Sequence, residues 1–307
     1  MPISVLAQET YPDRPVKITV GFSAGSSTDA AARVVAAKMS QILGQSVVVE
    51  NRPGASSSLA ARAIAATPPD GYNLFIASVA NAINASAQGP ASFDVAKNFA
   101  PIGMLGSVPN LLVAHPSLGV DTLPELISLG KGKGSQLSFA SSGNGTAPHM
   151  AGLLFAKSAG IELLHVPYKG SSAAMADLLA GRVSLMFAPA STVLPHIRSG
   201  KLKAIASTGL KRTNSAPDLP TISELGLKDF ESSVWLGLVA PLGTPAKVQA
   251  TLVSAVQTAL DSPEVKSQFA AQGIEVVKAG PKEFGQYIRS ETDKWGKVIE
   301  ASGVKLD

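Results

Sequence analysis

Gly21-Phe22-Ser23-Ala24-Gly25-Ser26-Ser27-Thr28-Asp29 joins two segments of different period. Before it, Val16–Gly21 is an apolar, β-branched run that reads as a strand. After it, Thr28–Leu43 places Ala31, Val34, Val35 and Met39 on one helical face, and Gly44 follows its end. Ser46–Val49 then reads as a second strand, which completes a βαβ unit.

The alternation continues outward from that unit. Ala60–Ala66 is helical and ends in the turn Pro68-Pro69-Asp70-Gly71, and Leu74–Ala77 is a third strand. Further on, Leu137–Ala140, Leu164–Val166, Val183–Phe187 and Leu202–Ala206 are short apolar strands. Helical stretches Ala147–Ala159, Ala173–Ala180 and Thr192–Ser199 separate them. A strand near Val234–Val239, a helix from Pro245–Ala259 continuing to Gln272, and a helix over Pro281–Ala301 close the chain. The pattern predicts an α/β fold of mostly parallel sheets flanked by helices.

Two stretches look like places where the chain changes lobe: Ala100–Pro116, interrupted by Pro101, Pro109 and Pro116, and Phe230–Pro241. Gly209–Pro220, before the second, reads as a surface loop. The expected division is a discontinuous lobe of residues 1–106 and 232–307 around a continuous lobe of residues 107–231, with a ligand cleft between them.

Composition narrows the function. Of 307 residues, 45% are hydrophobic and 16% charged, which suits a sizeable core and not a disordered chain. The 26 basic and 22 acidic residues give a net charge of +4 with no basic cluster. The densest basic piece, Lys131-Gly132-Lys133, reads as a solvated loop, so no nucleic-acid partner is expected. The absence of cysteine excludes disulfides, thiolate chemistry and cysteine-based zinc sites. No apolar run approaches the ~18 residues of a membrane span. Val5-Leu6-Ala7, followed by Gln8, fits the end of a signal peptide cleaved near Ala7, and so a periplasmic protein; a frayed terminus is the alternative.

The chemistry sits in the loops. Gly25 lets the backbone turn tightly, and Ser27, Thr28 or Asp29 can cap the helix that follows. A helix N-terminus has unpaired N–H groups and partial positive charge, so an anion suits it. Ser141-Ser142-Gly143-Asn144-Gly145-Thr146-Ala147-Pro148-His149 repeats the arrangement in the other lobe, with Thr146 as N-cap and Pro148 in the first turn. Each loop follows a strand with a phenylalanine, Phe22 or Phe139. If the lobes face each other, two positive helix ends converge, and a carboxylate is held by N–H and hydroxyl donors without an arginine. Plain αβ loops with good caps are the alternative.

Supporting pieces are Asn51–Ser58, Ser78-Val79-Ala80-Asn81, Val166–Ser171 and Phe187-Ala188-Pro189-Ala190. Tyr168 either leans over a ligand or fills the core edge, and Trp235 packs the hinge.

An enzyme reading also exists. Gly21 to Gly25 spells Gly-x-Ser-x-Gly, the nucleophile elbow of a serine hydrolase, with Ser23 as nucleophile. It lies on the first strand with no oxyanion loop before it, which argues against it. Each Gly-Lys pair lacks a following Ser or Thr, so there is no Walker loop. His115, His149, His165 and His196 have no metal-ligand spacing.

Tyr11–Pro15, Phe22–Asp29 and Val49–Gly54 together resemble the N-terminal signature of the Bug/TctC family, the extracytoplasmic receptors of tripartite tricarboxylate transporters. Pro69–Tyr72, Ser142–Thr146 with His149, His165–Gly170, Pro217–Thr221, Trp235 with Gly237 and Pro241, and Lys294–Lys297 continue the resemblance in order, over Tyr11 to Gly303. It implies a type II two-lobed periplasmic-binding-protein fold that closes on its ligand as a monomer. It also implies large and small integral membrane partners, no cofactor and no catalytic residue. The ligand residues expected are Phe22, Gly25, Ser26, Ser27, Thr28 and Asp29; Ser78, Val79 and Asn81; Ser142, Gly143, Asn144, Gly145, Thr146 and His149; and Tyr168, Gly170, Phe187 and Ala188. The chain departs from the family in having Ser26-Ser27 and Ser56 to Ser58 where glycines are usual, and Ala188 where many members have an acid. Without that acid an amino-acid ligand is disfavoured, and a di- or tricarboxylate or an aromatic acid such as terephthalate is favoured.

Overall fold

The computed structural model describes residues 11–87, 93–132 and 136–303. Val5-Leu6-Ala7 and Lys133 lie outside them.

The chain opens with β1 (Val16–Val20), α1 (Ser27–Leu43), β2 (Val47–Asn51), α2 (Ser58–Ala65) and β3 (Asn73–Ser78). β1 lies between β2 and β3, parallel to both. α3 (Val79–Ala87) and the single turn α4 (Val95–Asn98) lead into β4 (Phe99–Ala114). The middle of the chain forms α5 (Leu123–Lys131), β5 (Ser138–Ser141), α6 (Ala147–Ala159), β6 (Leu164–Pro167), α7 (Ser171–Leu179), β7 (Leu185–Pro189), α8 (Ala190–Arg198) and β8 (Lys203–Ser207). It returns through β9 (Ser233–Pro241), α9 (Ala246–Asp261), α10 (Pro263–Ala271), β10 (Glu275–Ala279) and α11 (Pro281–Ser302).

β4 is one 16-residue strand shared by two sheets. From Phe99 to Pro109 it pairs with β9, and β10 takes its other edge. From Asn110 to Ala114 it pairs with β7, and β8 lies on its other side. One sheet therefore runs β2-β1-β3-β9-β4 and the other β4-β7-β5-β6. Parallel pairing holds for β1 with β2 and β3, and for β5 with β6 and β7. β4 and β9 run antiparallel to all their neighbours, because they carry the chain out to the second sheet and back. Pro101 and Pro109 lie within this strand, and Pro116 follows its end. Pro109, opposite Ser233, is the last β9 pair before the change of sheet at Asn110.

Apolar residues cover both faces of both sheets. On the first sheet, α1, α9 and α10 bury Val35, Leu252 and Phe269 on one face, and α2, α3 and α11 bury Ile64, Ile83 and Phe284 on the other. The second sheet is covered by α5 and α6 on one side and α7 and α8 on the other. Fully burying a side chain such as Leu or Phe contributes ~1.5–3 kcal/mol. The helix expected to run to Gln272 breaks at Ser262, whose Oγ accepts from Val265 N, with Pro263 in the next first turn. Sequence periodicity missed α3, α5 and β10, although Thr122 and Glu125 form a capping box at the start of α5.

The second crossing is pinned by a buried polar network. Trp235, with no exposed surface, donates Nε1 to Glu291 Oε2 at 2.9 Å, and Trp295 donates to the same oxygen at 3.1 Å. Lys294 pairs with Glu291 and with Glu231 Oε2 at 2.7 Å. Burial opposes the charge on Lys294, but Glu231 and Glu291 hold its ammonium above the usual lysine range. Gly237 lets Phe284 approach the strand, since a Cβ there would lie 2.0 Å from the ring. Trp235 thus packs the crossing, as its sequence position suggested.

Candidate functional site

Four loops at strand ends build the site. The first leaves β1 and closes against the third, where a Cβ on Gly21 would lie 1.9 Å from Ser57 Oγ. Gly25 turns it with φ +81°. The N-cap of α1 is Ser26, one residue before the expected set, and its Oγ accepts from Asp29 N at 3.2 Å. The buried Asp29 carboxylate accepts from Gly25 N at 2.8 Å, Asn51 Nδ2 at 2.9 Å and Arg33 Nε at 3.1 Å. Burial would raise its pKa, but these hydrogen bonds, with Arg33 first, hold it below the usual carboxylate range. Asp29 is therefore committed to folding its own loop.

The second loop leaves β5. Ser141 Oγ accepts from Gly143 N at 3.1 Å and lies 2.6 Å from His165 Nε2. Thr146 holds the N-cap position of α6, yet its hydroxyl donates to Gly143 O at 2.7 Å and does not cap the helix. Gly145 N donates to His149 Nδ1 at 3.1 Å. The His149 and His165 rings stack at 3.8 Å. Burial, with His165 alongside, lowers the His149 pKa to about 4, so the ring is a neutral acceptor.

The third loop carries strain. Ala55, Ser56 and Ser57 have φ of 45°, 46° and 77°, a region costing non-glycine residues ~1–3 kcal/mol each. Asn84 Nδ2 braces it by donating to Ser56 O at 2.9 Å and Ser58 Oγ at 3.1 Å. In the fourth loop, Asn81 Oδ1 accepts from Ser78 N at 3.0 Å.

These loops surround an inner cavity of about 220 Å³, lined by Phe22, Ser26, Ser27, Thr28, Ser56, Ser78, Val79, Ala80, Asn110, Ser142, Gly145, Thr146, Ala147, Pro148, Ser171, Pro189 and Val234. An outer chamber of about 770 Å³ shares Ser26, Ser27, Pro148, Ser171 and Pro189 with it. Met175, Ala176, Leu179, Met186 and Ala188 give that chamber an apolar wall. The N-terminal ends of α1, α3, α6 and α7 line the inner cavity through Ser27, Val79, Ala147 and Ser171. Among the described residues no charged side chain lines either space. The sequence suggested two converging helix ends; the fold brings together four.

Of the expected ligand residues, Phe22, Ser26, Ser27, Thr28, Ser78, Val79, Ser142, Gly145 and Thr146 line the inner cavity, and Gly25 and Ala188 line the outer chamber. The others lie off both walls. Asp29, Asn81 and His149 brace the loops from behind. Gly143 and Gly170 shape turns with φ +130° and +108°, and Asn144 is exposed. Tyr168 donates to Asp177 Oδ2 at 2.7 Å and packs at the core edge. Phe187 is fully buried against Phe155, because strand alternation turns it away from the side on which Ala188 faces the chamber. Phe22 and Phe139 are not equivalent either, since Phe139 is core. Ser23 is exposed, and among the described residues no histidine hydrogen-bonds to it.

Asn110 and Val234, on the crossing strands, escaped the sequence reading. The available signal was a single amide inside the otherwise apolar run ending at Ala114. Among the described residues no group of His, Asp and Glu side chains is placed to hold a metal.

A family profile described as the tripartite tricarboxylate transporter family receptor matches residues 31–304. Protein BugT of Bordetella pertussis is 37% identical over 303 residues, covering 98% of this chain and 93% of that protein. The structure of periplasmic binding protein BugD superposes with a TM-score of 0.80 at 35% identity, over 96% of this chain and 99% of that one. Rpa4515 of R. palustris, solved with adipate, superposes with a TM-score of 0.82 at 32% identity, over 95% and 98%.

Proposed function

The chain belongs to the tripartite tricarboxylate transporter receptor family, with the type II two-lobed fold of periplasmic binding proteins, and on that premise we propose that it captures an amine-free carboxylate in its inner cavity. The solute is a di- or tricarboxylate or an aromatic acid such as terephthalate. The lobes, residues 1–106 with 232–307 and residues 107–231, close on it about β4 and β9. The loaded receptor delivers it in the periplasm to the large and small integral subunits of a tripartite transporter. Among the described residues no helix is long and apolar enough to cross a membrane.

One observation carries this reading: four helix N-termini and a ring of hydroxyls surround a small space that, among the described residues, no charged side chain lines. Each helix end favours an anion by ~0.3–1 kcal/mol, up to ~2 kcal/mol when partly buried. An ammonium group would enter with no acid to pair it, at a high desolvation cost. The inner volume, about 220 Å³, is below the ~300–1,000 Å³ of drug-sized pockets and suits a small acid. The apolar outer wall at Met186 and Ala188 suits an aromatic ring. Adipate in the related Rpa4515 supports the dicarboxylate class.

The test is a thermal-shift panel of aliphatic and aromatic di- and tricarboxylates beside aspartate and glutamate. A cognate acid at 100 times its Kd adds ~2.7 kcal/mol of stability. Tight binding of aspartate or glutamate, with no response to any amine-free acid, overturns the reading.

A further inference from the structure

Asn110 sits where β4 passes from one sheet to the other, and it lines the inner cavity. Its backbone is held in place: Asn110 N donates to Thr208 Oγ1 at 3.1 Å, and Thr208 N donates to Asn110 O at 2.9 Å. Thr208 in turn accepts from Ser232 N at 3.0 Å, so three chain segments meet behind the residue. The side chain is different. It has no exposed surface, and neither Oδ1 nor Nδ2 has a hydrogen-bond partner. A carboxamide carries two donors and an acceptor, and buried polar groups left without partners are rare and costly. The packing among the described residues makes no use of this amide, and the residue lines the inner cavity.

The two ends of the amide ask for different chemistry. Nδ2 suits any oxygen of a carboxylate. Oδ1 needs a donor, which a carboxylate lacks. The serine and threonine hydroxyls around the cavity can rotate to donate or accept, whereas Oδ1 can only accept. An ammonium donor is disfavoured, because among the described residues no acid lines the walls and Asp29 is already committed to Arg33, Gly25 and Asn51. A hydroxyl supplies the proton without a charge.

We propose that Asn110 is a solute-reading residue whose carboxamide recognises a hydroxyl on the captured acid. The receptor then prefers a hydroxylated carboxylate to the same acid without the hydroxyl. This rests on the carboxylate reading above and narrows its solute class.

Calorimetric titration of the full chain tests it with three pairs of acids: succinate and malate, adipate and 2-hydroxyadipate, terephthalate and 2-hydroxyterephthalate. In the pair the wild type binds, the hydroxylated member should bind at least about tenfold tighter, because a site built for a hydroxyl rejects the analogue lacking it. Asn110→Leu should erase that preference while leaving the unliganded melting temperature unchanged or higher, a combination a structural asparagine would not give. If Asn110→Leu does not fold, Asn110→Ala carries the same comparison. Equal binding of both members by the wild type, or a preference that survives in the variant, overturns the proposal. No response to any of the acids overturns the carboxylate reading itself, and this inference with it.

Discussion

His149 shows how a residue can serve the site without lining it. Its ring accepts from Gly145 N and stacks on His165, so the turn of the second loop depends on a neutral imidazole. In the unfolded chain the same group takes up a proton near pH 6.5, whereas burial and the His165 neighbour lower its folded value to about 4. The unfolded chain therefore binds more protons between these values. The contribution of this burial is complete above about pH 6.5 and is lost as the pH falls toward 4. The melting temperature should drop across that window, and His149→Asn, which keeps an acceptor for Gly145 N but does not titrate, should flatten the slope. His165, also lowered by burial, leaves a residual slope. An unchanged slope in the variant would remove His149 from this role. The sequence displayed the residue types of the site but not their directions. Phe187 and Ala188 are adjacent, and only strand alternation sends one to the core and the other to the chamber.

At the scale of the element, α6 must press closely on β5 for its N-terminal turn to reach the cavity. Gly152 is what allows it, since a Cβ there would lie 2.1 Å from the Phe139 ring. Phe139 also stacks on His165 at 4.9 Å, so the same ring joins α6, β5 and β6. Gly152→Val should cost about 1–3 kcal/mol by overpacking. It should also weaken binding of whichever carboxylate the panel identifies, as the helix end moves out. Denaturant unfolding and calorimetric titration read the two effects, and wild-type values in both would disprove the coupling. The βαβ elements were legible because their periodicity is local. β4 was legible only as an interrupted extended segment, because the two sheets that tolerate Pro101 and Pro109 are assembled from residues far away in the chain. Asn110 was missed for the same reason, its meaning lying in the walls around it.

For the whole molecule, the crossings are strands instead of free linkers. β4 and β9 pair with each other from Phe99 to Pro109 on the first sheet, and the polar cluster around Glu291 locks the return of the chain. If the lobes close as proposed, the bend falls at the few residues where the ladders change partners, near Asn110 and Ser233. The shared strand also has a thermodynamic consequence. β4 lies between β9 and β10 in one sheet and between β7 and β8 in the other, so its loss removes an interior member from both. Heat cannot melt one half and spare the other without stripping that strand from the survivor. Scanning calorimetry of the unliganded protein should therefore give a single endotherm with matching calorimetric and van't Hoff enthalpies, despite its two sheets. Two resolved transitions would mean that β4 can desert one sheet while remaining in the other.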